Sequence, residues 1–205
     1  MLTEVMRHYS LAREPIDVGF FETEHHAQVL RDIRAAIMSG RLIALTAVIG
    51  SGKTILWRRL RADLEQEGRV IVSRSLSVEK TKITVPLLVA ALFYDLTPEK
   101  TVTISTRSER RERDLQDLFR RTKKPVALFI DDAHELHPKT LIALKRLMEL
   151  VTDGGGQLSI VLIGHPRLKN DLRRPKMEEI GDRTTVFESL SGYIPRSLLR
   201  AYDGA

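Results

Sequence analysis

The 205-residue chain contains no cysteine, which excludes a disulfide framework and any thiolate metal site and fits a reducing, cytoplasmic setting. Aromatic residues are scarce, at 5% with one tryptophan, so stacking on single-stranded bases is not the expected mode of nucleic-acid contact. No apolar run approaches the ~20 residues needed to span a bilayer, and the opening MLTEVMRHYSLAREP lacks the apolar centre of a secretory leader, so no membrane association is expected. Internal repeats and low-complexity tracts are also missing. What is present is 42% hydrophobic and 29% charged residues, the balance of a globular chain, in a length that suits one α/β domain with a sizeable core. The net charge of +6 favours an anionic partner such as nucleic acid.

Residues 42–54, LIALTAVIGSGKT, organise the rest. A short apolar run reads as a buried strand, the loop Ala47-Val48-Ile49-Gly50-Ser51-Gly52-Lys53-Thr54 follows, and ILWRRLRADLEQE continues as a helix. Strand, glycine-containing loop ending in Gly-Lys-Thr, then helix is a phosphate-binding loop in its structural context. Gly50 and Gly52 let the backbone approach phosphates without a Cβ in the way. The helix N-terminus aims N–H donors at the anion. Lys53 can reach the β- and γ-phosphates, and the Thr54 hydroxyl can ligate Mg²⁺. The usual first glycine of the pattern is Ala47 here.

Along the rest of the chain, strands alternate with helices. Thr23 is placed to cap a helix carrying Val29, Leu30, Ile33 and Ile37, which Gly40 ends. His25 and His26, adjacent on that helix, point in different directions and do not suit a metal. A second strand begins at Val70 and leads into a polar loop with Lys80, Thr81 and Lys82. Residues 86–95 and 108–122 read as helices, 126–130 and 158–163 as buried strands, and Pro138 opens an amphipathic helix with Leu141, Leu144, Met148 and Val151 on one face. Residues 168–180 read as a helix interrupted at Pro175, and Val186-Phe187-Glu188 as a last strand. Such alternation predicts a mostly parallel sheet covered on both faces, with ligands at the C-terminal ends of its strands.

The strand at 126–130 ends in two carboxylates. Asp131 is placed to hold Mg²⁺ through its waters, and Asp132 to orient or deprotonate an attacking water.

Val126-Ala127-Leu128-Phe129-Ile130-Asp131-Asp132 resembles a Walker B motif, and residues 158–166 resemble the sensor-1 strand of the AAA+ ATPases. More narrowly, Thr23-Glu24-His25-His26, residues 47–54, Ile130-Asp131-Asp132-Ala133-His134-Glu135-Leu136 and Ile163-Gly164-His165-Pro166-Arg167-Leu168 resemble the group holding ExeA/GspA-type ATPases and the transposition helpers of the TniB, TnsC, IstB and MuB kind. The resemblance implies a three-layer P-loop NTPase with a five-stranded sheet in the order 5-1-4-3-2, ATP as nucleotide, and homo-oligomers, rings or helical filaments, in which one subunit completes its neighbour's site. On that template His165 matches the polar sensor-1 position and Arg183 the arginine finger before the last strand. Two departures stand out. The usual Walker B glutamate is Asp132, one methylene shorter, which points to slow hydrolysis. The family's helical lid is short or absent, since residues 191–205 suffice only for a remnant; residues 1–20 form an arm and 21–190 the ATPase core.

The resemblance also implies assembly around double-stranded DNA without regard to sequence, and recruitment of a transposase. The loop residues Lys80, Thr81 and Lys82 match the DNA-facing positions, with the basic cluster at Arg107, Arg110, Arg111 and Arg113 a second candidate, diluted by Glu109, Glu112 and Asp114. The alternatives are an ExeA-like ATPase that powers assembly of a secretion machine, and a nucleotide-binding switch with little turnover.

Overall fold

A computed structural model describes residues 24–48, 51, 53–75, 79–97 and 104–188. In chain order these form α1 (Glu24–Met38), β1 (Leu42–Thr46), α2 (Lys53–Glu67), β2 (Ile71–Arg74), α3 (Val85–Leu96), α4 (Ser108–Thr122), β3 (Val126–Ile130), α5 (Pro138–Asp153), β4 (Leu158–Gly164), α6 (Arg167–Leu172), α7 (Glu178–Gly181) and β5 (Thr184–Glu188). The five strands make one sheet in the order β2-β3-β4-β1-β5, every pairing parallel. That is the order implied by the family resemblance, and the architecture is the three-layer fold of the P-loop NTPases.

The sheet divides the core in two because successive side chains on a strand point to opposite faces. On one face Leu42, Ala44, Leu128, Ile130, Ile160 and Leu162 pack with α3, α4, α5 and α6. On the other Ile43, Leu45, Ala127, Phe129, Val161 and Ile163 pack with α1 and α2. All residues of β1, β3 and β4 are buried, which is why these strands read as unbroken apolar runs. The histidine pair behaves as its spacing predicts, with His25 exposed and His26 buried. Thr23 and residues 1–22 lie outside the described residues, as do residues 189–205, so the expectations for an arm, a cap and a tail fall there.

Polar side chains fix the elements to one another. Ser159 Oγ donates to the Ile37 carbonyl (2.6 Å) and satisfies the end of α1, where Gly40 adopts φ 66°. Asp95 accepts from Ser73 Oγ (2.6 Å) and so attaches α3 to β2. Some boundaries differ from the sequence expectation. β2 starts at Ile71 rather than Val70, and β5 at Thr184, two residues early. The polar loop after β2 contains a single 3-10 turn, Lys80–Lys82. The segment expected as one interrupted helix is two short helices joined by a 3-10 turn, Pro175–Met177, because proline at that point removes a donor and fixes its own φ.

Candidate functional site

The phosphate loop leaves the sheet at Thr46. Ala47 N–H donates to the Gly164 carbonyl (3.1 Å), tying the start of the loop to the tip of β4. Ser51 then folds back, its N–H and Oγ both donating to the Val48 carbonyl (3.3 and 2.8 Å). Lys53, half-buried, is the first residue of α2, and Thr54 beside it is exposed. Both therefore stand in the first turn, where the helix has unpaired N–H groups. Ile49, Gly50 and Gly52 lie outside the described residues. One turn on, Trp57 is buried beneath the loop end of α2, stacked on Phe129 of β3 (6.4 Å between ring centres) with the Arg61 guanidinium over its ring.

Asp131 and Asp132 follow β3 directly. Asp131 Oδ1 accepts the N–H of Asp132 (2.9 Å), which fixes that carboxylate and leaves its second oxygen available. Asp132 has φ 53°, in the left-handed region that aspartate and asparagine tolerate better than most residues. The carboxylates are not immediately beside the phosphate loop. β4 runs between β3 and β1, with Leu162 opposite Ile130 and Gly164 opposite Thr46, so acid pair and loop flank the tip of β4. That tip is Gly164, which puts no side chain between them. The donors are hard oxygens, and among the described residues no group of three or more histidine or carboxylate side chains forms a metal cage. This set fits Mg²⁺, which binds through one or two protein oxygens and keeps its waters and the phosphates as remaining ligands.

His165 follows Gly164. Its Nδ1 accepts the Arg167 N–H (3.3 Å), so the proton of the neutral ring sits on Nε2. Its own N–H donates to His134 Nδ1 at a long 3.4 Å, and the two rings lie 6.0 Å apart. His134 Nε2 in turn faces Glu135 Oε1 at 3.4 Å. A Cβ on Gly164 would stand 3.3 Å from both N and Nδ1 of His134, so glycine there permits the close approach of the post-β3 turn. His134 as the partner of His165 is a residue that sequence reasoning missed.

Arg183 lies at the other end of the sheet. It precedes Thr184, which pairs with Leu42 at the start of β1, while the phosphate loop follows Thr46 at the end of that strand. At about 3.3 Å per residue the loop begins roughly 17 Å further along the sheet. Arg183 Nη1 donates to Glu149 Oε1 of α5 (2.9 Å) and is 60% exposed. Lys145 bridges the neighbourhood, 2.9 Å from Glu179 and 3.9 Å from Glu149. Hydrogen bonding to Lys145, then its charge, holds the Glu179 carboxyl below the usual carboxylate range.

The basic candidates are scattered. Lys80 and Thr81 sit in the turn after β2, whereas Lys82 is spent on Glu79 (2.8 Å). Ile83, the next residue, is locked by a buried bond from Thr140 Oγ1 to its carbonyl (3.0 Å), so the turn is fastened to the start of α5. Arg107 and Arg110 are exposed at the start of α4, and Arg111 lines a cleft between α3, α4 and α5 with Val89, Leu115 and Leu147. Thr81 borders a different cavity of about 300 Å³, which also meets His134, His137, Arg167 and Arg174.

The chain is 26% identical over 186 residues to general secretion pathway protein A of Aeromonas hydrophila, a match that takes in 87% of this chain but only a third of that relative's length. Among solved structures, the ORC2 protein of Aeropyrum pernix superposes with a TM-score of 0.59 at 15% identity over 96% of this chain and 54% of its own. Cdc6p of Pyrobaculum aerophilum gives 0.56 at 18%, covering 89% of this chain and 48% of its own. These two share the fold. A family model described as AAA domain matches residues 35–172, well over half the chain, and the chain belongs to that family.

Proposed function

We propose that this chain is an ATP-binding and ATP-hydrolysing switch that assembles on double-stranded DNA, as a ring or helical filament, and there recruits a transposase. The observation that carries the assembly is the position of Arg183. With the phosphate loop at one end of β1 and Arg183 beside the other end, Arg183 does not serve its own subunit's nucleotide. The phosphate loop of a neighbour stacked against the Arg183 end receives it instead, so the site is complete only between subunits.

Within one subunit, the loop 47–54 and Lys53 cradle the phosphates, and Thr54 with Asp131 holds Mg²⁺. The metal supplies charge neutralisation on the phosphate oxygens when bound. Asp132 takes the proton of the attacking water or orients it. His165 offers its Nε2–H toward the γ-phosphate from the tip of β4, its ring fixed by the Nδ1 contact with Arg167 N–H. Turnover is slow, because the shorter side chain of Asp132 reaches less far toward water. The net charge of +6 supports a DNA partner, and the motif resemblance supports transposition as the setting.

A second reading is favoured by one finding, the 26% identity to a secretion protein, and makes the chain an ATPase that helps assemble a secretion machine. Among the described residues no helix is long and apolar enough to cross a membrane. Electron microscopy of the purified chain with duplex DNA, with and without ATP, separates the readings. Rings or filaments on DNA that need ATP and dissolve as salt rises are expected for the first, and Lys53→Ala abolishes them. No ATP-dependent binding at low salt rejects it, and assembly retained by Lys53→Ala rejects ATP as the switch.

A further inference from the structure

A second basic segment borders the nucleotide end of the molecule. Between Arg167 and Lys176 the chain carries Arg167, Lys169, Arg173, Arg174 and Lys176 against one carboxylate, Asp171. The balance is more positive than at 107–114, where Glu109, Glu112 and Asp114 offset four arginines, and than at 79–82, where Glu79 pairs with Lys82. Two other stretches are comparable: residues 53–61, where Lys53 belongs to the phosphate loop and Arg61 pairs with Glu65 (3.4 Å), and Arg120-Arg121-Thr122-Lys123-Lys124, which precedes β3 at the end of the sheet away from the phosphate loop, with Lys124 donating to the Gly68 carbonyl (2.8 Å).

The geometry of 167–176 is that of a braced cationic surface. Asp171, 18% exposed, lies 2.9 Å from the Arg174 guanidinium and 3.7 Å from Arg167 Nε, while both arginines remain about two-thirds exposed. One half-buried anion thus steadies two outward-facing forks. Arg173 and Lys176 are exposed and unpaired among the described residues. Arg167 and Arg174 also line the cavity of about 300 Å³ whose opposite wall includes Thr81. Arg167 and Arg174 therefore face the same opening as the 80–82 turn, whereas Lys169 and Arg173 line a separate cavity with Glu178, Asp182 and Val186. The backbone N–H of Arg167 donates to His165 Nδ1 (3.3 Å), which fixes the start of the segment against the tip of β4.

We propose that Arg167 and Arg174, together with the 80–82 turn, form the surface that holds the phosphate backbone of duplex DNA. This rests on the DNA reading above. Contacts of this kind neutralise charge without reading bases, so binding is independent of sequence and steeply dependent on salt.

The test uses the full chain, saturating ATP and a random-sequence DNA duplex, with affinity followed by fluorescence anisotropy over a salt series. The variant Arg167→Ala/Arg174→Ala/Lys80→Ala is expected to bind at least about tenfold more weakly at low salt, with the slope of log K against log salt shallower by about two to three. Arg121→Ala/Lys123→Ala is expected to leave the slope unchanged. Self-assembly with ATP in the absence of DNA, followed by sedimentation, is expected to survive in both. An unchanged slope in the triple variant with wild-type binding intact overturns the surface and leaves the DNA reading standing. A slope lost instead at Arg121 and Lys123 moves the surface to the far end and also overturns it. Loss of DNA-free assembly in the triple variant shows a subunit contact rather than a DNA contact. If the wild-type chain binds no duplex at low salt, both readings fall together.

Discussion

Asp132 combines two constraints that point the same way. Its carboxylate is the group placed to act on water, and its backbone has φ 53°. Asparagine keeps the left-handed preference and the size but cannot take a proton, so Asp132→Asn isolates the chemistry. It is expected to bind ATP as the wild type does, read through the fluorescence of the single Trp57, while phosphate release falls by at least about a hundredfold. Equal hydrolysis by the two would remove Asp132 from its role. Asp132→Ala adds a backbone cost of about 1 kcal/mol and is the poorer probe. Arg183 is held by Glu149 across an exposed ion pair worth no more than about 1 kcal/mol. A neighbour's phosphates readily outcompete such a tether. Glu149→Ala should therefore leave the melting temperature within a few degrees of wild type, whereas Arg183→Ala should lower turnover by about a thousandfold without weakening nucleotide binding. Tighter dependence of turnover on Glu149 than on Arg183 would contradict this order.

Among the elements, β4 does the most to assemble the site. It separates the acid pair from the phosphate loop, its carbonyl at Gly164 receives Ala47 N–H, and its end presents His165. Gly164→Ala puts a methyl 3.3 Å from His134 and Leu168, so the post-β3 turn must shift by a few tenths of an ångström. The expected cost is about 1 kcal/mol of stability, seen by thermal melting, with kcat reduced more than nucleotide affinity. A variant with normal kcat would show that the His134–His165 contact has no part in turnover. This element also shows what was legible in advance. Strands buried on both faces, such as β3 and β4, declare themselves as apolar runs, and the glycine-lysine-threonine loop and terminal aspartates sit at their ends. The strand order required the family resemblance, because parallel neighbours are far apart in sequence. Contacts such as His134 with His165, or Glu149 with Arg183, join side chains separated by about thirty residues and leave no periodic trace. The same holds for the left-handed turn at Asp132. Arg167 and Arg174 likewise meet the loop after β2 only through the cavity they share with Thr81, a contact that no sequence spacing announces.

At the scale of the whole molecule, the separation of Arg183 from its own phosphate loop makes a statement about subunits that can be tested without knowing their number. Asp132→Asn subunits bind nucleotide and carry an intact Arg183. Arg183→Ala subunits carry an intact Asp132. Each assembly alone is expected to be nearly inactive, and for opposite reasons. When the two are mixed, an interface is productive only where an Arg183→Ala subunit supplies the nucleotide site and an Asp132→Asn subunit supplies the arginine. Random placement at equal concentrations makes about a quarter of interfaces of that kind. Phosphate release should accordingly recover to about a quarter of the wild-type rate on mixing, peak near equal proportions, and stay at the background of the single variants if Arg183 acts within its own chain. The chain's own geometry favours recovery, since five residues of strand lie between the arginine and the loop it would have to serve.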